Sequence, residues 1–217
     1  MMYTRIIRTR VRFKSLAAHT LFYPQAIKLP SYSECSVPKL LEGKNVSLRI
    51  AEKEDLATIG KWRNNPEFQG EYNILIQESK EELEKRYENL RPDEKWFLIE
   101  KKDGTKIGLL VLELEGGMHE IGYGVIPNER GKGYCTEAVT IAVDYLFLSK
   151  PMVRIQAHTN IRNKASQRVL EKAGFKKEGI VRKRIFIRGK WRDEFLYSIL
   201  RKEWKDPKIL AGTAKPK

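Results

Sequence analysis

The sequence predicts an α/β sandwich: a mixed sheet flanked by helices, with elements in the order β-α-α-β-β-β-α-β-α-β-β. Three observations carry this expectation. Stretches of two-residue apolar alternation are interleaved with stretches of helical period. Asp103-Gly104 lies between two apolar runs, a strong hairpin signal. A β-like segment stops at Pro127, crosses the glycine pair Gly131 and Gly133, and enters a helical pattern.

Each element has its own local reason. Val46, Leu48 and Ile50 alternate as a first strand. Leu56, Ile59 and Trp62 mark a helix opened by Glu52, Glu54 and Asp55, whose charges suit its positive end. Ser79-Lys80-Glu81-Glu82 is a capping box ahead of Leu83, Tyr87 and Leu90. Residues 96–100 and 106–113 pair across the Asp103-Gly104 turn, and a strand at 119–125 follows. Val139, Ala142, Val143, Leu146 and Phe147 then form one apolar helix face. A strand at 153–159 leads to a second stripe, Ala165, Val169, Leu170 and Ala173, closed by Gly174 at a left-handed C′ position. Two strands around Gly189 complete the order.

The glycine pair is the most informative part of the chain. Gly131 and Gly133 remove side chains where the backbone must turn, and leave N–H groups free to face a ligand. A helix N-terminus behind such a turn suits an anion, phosphate above all. Arg130 and Lys132 add positive charge there. A nucleotide P-loop needs Ser or Thr after the lysine, but Gly133 follows Lys132; a dinucleotide loop needs a third glycine where Thr136 stands. On this motif alone, an ordinary strand–turn–helix with a basic turn would read the same.

What fits instead is R/Q-x-x-G-x-G/A, matched by Arg130 and Gly133, with Cys135 where Gly or Ala is usual. Downstream, residues 160–175 match N-x-x-S-x-x-V-L-E-K-x-G-F through Asn163, Ser166, Val169, Leu170, Glu171, Lys172, Gly174 and Phe175. Trp62-Arg63-Asn64-Asn65 and Gly189-Lys190-Trp191-Arg192-Asp193 fall at the expected spacing. From residues 40 to 204 the chain resembles the GNAT superfamily of N-acetyltransferases, in the branch of ribosomal-protein-alanine N-acetyltransferases. The resemblance implies a mixed, mostly antiparallel central sheet flanked by helices. It implies acetyl-CoA as cosubstrate and transfer of its acetyl group to a primary amine. A protein N-terminal α-amine, such as that of a ribosomal protein, is the expected acceptor. A small amine (aminosugar, polyamine or amino acid) is the alternative, as is an acyl-CoA sensor without turnover.

By the same resemblance, Arg130, Gly131, Lys132, Gly133, Tyr134, Cys135 and Thr136 would cradle the pyrophosphate. The strand through Tyr123, Gly124 and Val125 would splay open, with the Val125 N–H as oxyanion donor. Asn163 and Ser166 would reach the pantetheine arm, and Ser166 would protonate the leaving thiolate. Some relatives carry tyrosine where this chain has Leu170, so that proton donor is missing here. Glu120 is the candidate base, directly or through water, with a solvated surface carboxylate as the plain alternative; Asp193 and His119 stand behind it.

Composition limits the rest. Hydrophobic residues make up 41 % and charged ones 32 % of the 217, as in a soluble single-core protein, and no apolar run approaches a membrane span. Cys35 and Cys135 form no disulfide framework, and with His19, His119 and His158 they show no metal spacing; a cytoplasmic monomer or homodimer without metal is expected. The net charge of +14 is local. Residues 1–36 carry six basic side chains against Glu34, and residues 176–192 carry eight against Glu178, whereas residues 37–175 are balanced. Solvated strand faces account for the second cluster, with ribosomal RNA or the 3′-phosphate of CoA as alternatives, and nucleic acid is not expected as a direct substrate.

Residues 37–205 are expected to form the acetyltransferase domain, between a basic N-terminal tail at 1–36 and a C-terminal tail at 206–217. The first 33 residues lack Asp and Glu, a composition that fits a transit peptide, a disordered tail or a start site assigned too far upstream. Because no core-like stripe precedes Val46, deleting residues 1–36 should leave acetyl-CoA affinity and melting temperature nearly unchanged. A large fall in melting temperature would show that Phe13, Leu16 or Phe22 packs on the domain.

Overall fold

The computed structural model describes residues 41–205, 207 and 209. The expected tail at 1–36 lies outside the described residues, as does most of the one at 206–217. The elements are β1 (Val46–Ile50), α1 (Leu56–Arg63), α2 (Pro66–Gln69), α3 (Lys80–Glu88), β2 (Lys95–Lys101), β3 (Lys106–Glu115), β4 (Met118–Val125), α4 (Tyr134–Ser149), β5 (Arg154–Asn160), α5 (Lys164–Lys172), β6 (Lys176–Ile187) and β7 (Lys190–Leu200). The expected order holds with one addition, the single turn α2. Four residues are too few for a periodic signal, and α2 exists through its start: Pro66 follows Asn65, whose Oδ1 accepts from the Glu67 and Phe68 amides.

Seven strands form one sheet in the order β1-β2-β3-β4-β5-β7-β6, antiparallel at every boundary except β4–β5. The local signals are visible at atomic detail. Ser79 Oγ accepts from the Glu82 amide while Glu82 accepts from the Ser79 amide, at 3.2 and 2.7 Å. Asp103 Oδ1 accepts from the Thr105 amide at 2.9 Å inside the β2–β3 turn, and Gly174 ends α5 at φ +93°.

Strand alternation divides the apolar side chains between two layers. Phe97, Ile99, Leu110, Ile121 and Val125 pack with α4 and with Leu170 of α5, whereas Trp96, Leu98 and Leu109 pack with Ile59 of α1 and Leu83 of α3. Ile209, beyond residue 205, packs on the first layer, and its amide donates to Asp144.

At the edge of the second layer lies a buried charge cluster. Asp55 is 2 % exposed. Arg49 donates to both its carboxylate oxygens at 2.9 Å, Lys106 adds a contact at 2.7 Å, and the Glu52 amide donates at 2.9 Å. Burial works to raise the Asp55 pKa, but Arg49, Lys106 and the amide together hold it well below the usual carboxylate range. A depressed carboxylate pKa stabilises the fold above about pH 4, the value of an unfolded Asp, and that contribution is lost as pH falls further. Asp55→Asn should therefore cost about 3 kcal/mol at pH 7, read as a lower urea midpoint, and the gap to the unaltered chain should narrow at pH 3.

Candidate active site

The site begins where β4 and β5 part. They pair only at His119–Ile155 and Glu120–Gln156, while β3 stays paired with β4 as far as Val125. The Ile126 amide donates to Ile107 on the β3 side at 2.8 Å. By the two-residue alternation of a strand, the Tyr123 and Val125 amides face the gap left by β5. The Val125 carbonyl faces the same way, since it accepts from Arg130 Nε at 3.4 Å. A Cβ on Gly122 would come within 2.8 Å of Val111, and Phe68 of α2 lies over Gly124 in a stack with Trp62.

Beyond Pro127 the chain turns twice through left-handed glycines, Gly131 at φ +77° and Gly133 at φ +86°. Gly133 is the N-cap of the 16-residue α4 and has no side chain to offer as an acceptor. The first helical bond runs from the Glu137 amide to the Gly133 carbonyl, so the amides of Tyr134, Cys135 and Thr136 have no acceptor among the described residues. A Cβ on either glycine would meet nothing within 4 Å, which leaves the approach to these amides clear. Such a cradle fits a pyrophosphate. The cation expected beside it is turned elsewhere: Arg130 donates to the carbonyls of Glu67 and Phe68 at 2.6 and 3.0 Å, tying α2 to the cradle. Lys132 pairs with Glu129 at 2.9 Å. Burial pushes the Cys135 thiol up to about 12, so it sits there as a neutral packing group.

On the α4–α5 side of the gap, Asn163 caps α5, its Oδ1 accepting from the Ser166 amide at 3.1 Å. Ser166 Oγ lies 2.9 Å from the Tyr123 hydroxyl, which also donates to the Ser166 carbonyl at 3.2 Å. Burial raises the Tyr123 pKa, keeping the phenol protonated. Leu170 is fully buried in the core. Thus a tyrosine does stand beside Ser166, on β4 rather than on the helix. It was not among the candidates because only the fold brings the two together, across 43 residues.

Glu120 points to the opposite, α1–α3 face, as does its cross-strand partner Glu113. His158 Nδ1 lies 3.0 Å from Glu120 Oε1, Gln156 Nε2 3.5 Å from Oε2, and Arg184 Nη2 3.6 Å from Oε1. Arg184 also reaches Glu115 at 2.5 Å and Glu194 at 3.1 Å. Burial favours the neutral acid of Glu120, but the contacts with His158, Glu115 and Arg184 prevail and bring its pKa down to about 2. Glu115 moves upward through its hydrogen bond to Glu120. Glu115, Glu120 and His158 could offer three metal-ligand atoms within 4.8 Å of one another, a grouping that linear spacing does not reveal. The Arg184 guanidinium already supplies positive charge against both carboxylates. The two reserve candidates lie apart. His119 is buried on the α4 side with Nδ1 unpaired and its pKa lowered by burial, and Asp193 accepts from the Lys183 amide within the β6–β7 hairpin.

A splayed β4–β5 pair over a glycine-rich helix N-terminus defines an acyl-CoA-binding acetyltransferase fold, and comparison with known proteins agrees. Residues 45–176 match the acetyltransferase (GNAT) domain family, and the chain belongs to it. It is an N-acetyltransferase, and use of acetyl-CoA goes with the family. The probable N-acetyltransferase YjcK of Bacillus subtilis (strain 168) is 33 % identical over 175 residues, covering 74 % of this chain and 97 % of that protein. Spermidine N-acetyltransferase from Vibrio cholerae, crystallised with CoA and spermine, superposes with a TM-score of 0.66 at 28 % identity, over 73 % of this chain and 96 % of that one. Ribosomal-protein-S5-alanine acetyltransferase from Vibrio fischeri gives 0.67 at 25 % identity, over 76 % and 98 %.

Placing a side chain at Gly133 tests the cradle. In Gly133→Val a β-branched residue would be forced to φ > 0 and would crowd the free amides. Each hydrogen bond lost to a charged group is worth about 1.5–3 kcal/mol, so CoA affinity should fall about a hundredfold with the far-ultraviolet circular dichroism unchanged. Undiminished affinity, by calorimetry, would remove the cofactor from this loop.

Proposed function

We propose that the acceptor is a protein N-terminal α-amine, as in the ribosomal-protein acetyltransferase that shares this fold, and that the reaction runs in the cytoplasm. One observation carries the choice of acceptor. The carboxylates that could attract a polycation, Glu115, Glu120 and Glu194, are already bridged by Arg184. An α-amine needs no such attraction and little help in losing a proton. It titrates at about 7.7–8.0, so roughly a tenth to a fifth is neutral at pH 7, against about one in several thousand for a lysine-like amine.

When bound, acetyl-CoA supplies an acetyl group activated as a thioester. The amides of Tyr134, Cys135 and Thr136 hold the pyrophosphate, with Gly131 and Gly133 giving it room, while Arg130 braces the loop against α2. Asn163 lines the pantetheine path. The Val125 amide, facing the gap, donates to the carbonyl oxygen as negative charge develops on it. Ser166 gives its hydroxyl proton to the departing sulfur, with the Tyr123 hydroxyl at 2.9 Å fixing its orientation.

A second reading rests on the same face. Four carboxylates, Glu113, Glu115, Glu120 and Glu194, gather there, and a spermidine acetyltransferase shares the fold. Were Arg184 to swing aside, they would suit a polyamine. Thiol release measured at pH 7 over N-terminal peptides, spermidine and aminosugars decides. The peptide reading expects kcat/KM at least about tenfold higher for peptides, given the difference in neutral fraction; a preference for spermidine would reverse the assignment.

A further inference from the structure

The reaction needs a group that takes the amine proton, and the geometry around Glu120 points past Glu120 to its neighbour. β5 leaves β4 after Gln156. The next residue on that face of β5 is His158, the first side chain inside the opening on the acceptor side. Its ring is 9 % exposed. Nδ1 lies 3.0 Å from the Glu120 carboxylate. An ionised carboxylate only accepts, so Nδ1 carries the hydrogen and the lone pair of the neutral ring is on Nε2. Nε2 has no partner among the described residues, and it is not among their enclosed, unpaired atoms. It is the free basic nitrogen of the site.

We propose that His158 Nε2 accepts the proton of the acceptor amine, and that Glu120 is the positioning residue that fixes the ring and its tautomer. This rests on the acetyl-transfer reading and adds the base to it. The balance is simple. The amine nitrogen forms a bond to the thioester carbonyl carbon, the C–S bond breaks, and the proton on the new amide nitrogen passes to Nε2. The sulfur takes a proton from Ser166, which recovers one from solvent, and His158 returns its proton to solvent. Amine and acetyl thioester become amide and thiol.

Two features support His158 over Glu120 in this role. Glu120, with a pKa near 2, binds a proton too weakly to draw one from an amine. Its oxygens are also engaged, by His158, Gln156 and Arg184. The charged groups around the ring come from every neighbouring strand: Glu115 of β3, Glu120 of β4, Arg184 of β6 and Glu194 of β7.

The test uses the full chain and whichever amine it acetylates fastest. His158→Gln keeps a donor for Glu120 but cannot take up a proton. It should lower kcat by about 10²–10⁴-fold and leave the CoA dissociation constant unchanged. His158→Ala should recover part of its activity with added imidazole, which a lost structural contact would not allow. Glu120→Gln should lower kcat less than His158→Gln does. The proposal is overturned if His158→Gln retains kcat within about threefold, or if imidazole restores nothing to a folded His158→Ala. A wrong acceptor class would show as a different best amine, a wrong base as an unaffected variant.

Discussion

The site depends on a sheet that stops being a sheet. Between β4 and β5 two residue pairs form and then the strands diverge, so a central strand has unpaired backbone groups along one edge. Buried backbone groups are almost always paired, and the surrounding structure reflects that demand. Arg130 satisfies the Val125 carbonyl and fastens α2 in the same stroke. The amides of Tyr123 and Val125 remain for something that arrives. The helix behind the turn has a similar surplus, three amides with no cap among the described residues. Two sets of donors thus converge from two elements, and an acyl carrier with an anionic end matches both.

Electrostatics differs between the two faces of the gap. The α4–α5 side holds neutral groups: a phenol and a thiol both kept protonated by burial, and a serine hydroxyl. The α1–α3 side holds a compact network of Glu115, Glu120, Glu194, His158 and Arg184. The total charge of +14 predicts neither. Even within the basic segment 176–192, Arg184 turns inward to carboxylates while Trp191 and Phe186 stand exposed at the hairpin end. Summed charge describes what the protein meets at a distance, and the paired groups describe what it can do in contact.

What the sequence made legible was local. Ser79 with Glu82, Asp103 with Gly104, and the glycines at 131, 133 and 174 act within a few residues, and each sits as its neighbours in the chain require. The strands and long helices followed from period alone. The unread parts are those joined only by the fold. His158 meets Glu120 across 38 residues, Tyr123 meets Ser166 across 43, and Arg130 meets α2 across more than 60. Arg130 shows the limit best: its position in the loop was legible, but the carbonyls it would find were not, because they belong to a helical turn with no period of its own.

β4 also serves as a partition wall. Its odd-numbered side chains pack toward α4, while Glu120 lies in the charged network on the opposite face, across a strand one residue thick. An insertion or deletion of a single residue between His119 and Val125 would exchange the two sides, setting Glu120's successor against α4 and a core side chain into the charged network. The loop at 70–77 carries no such parity, so length can change there while β4 keeps its count. Within a lineage of such enzymes, change of acceptor is therefore free to proceed by altering loop lengths around a strand whose own length is frozen.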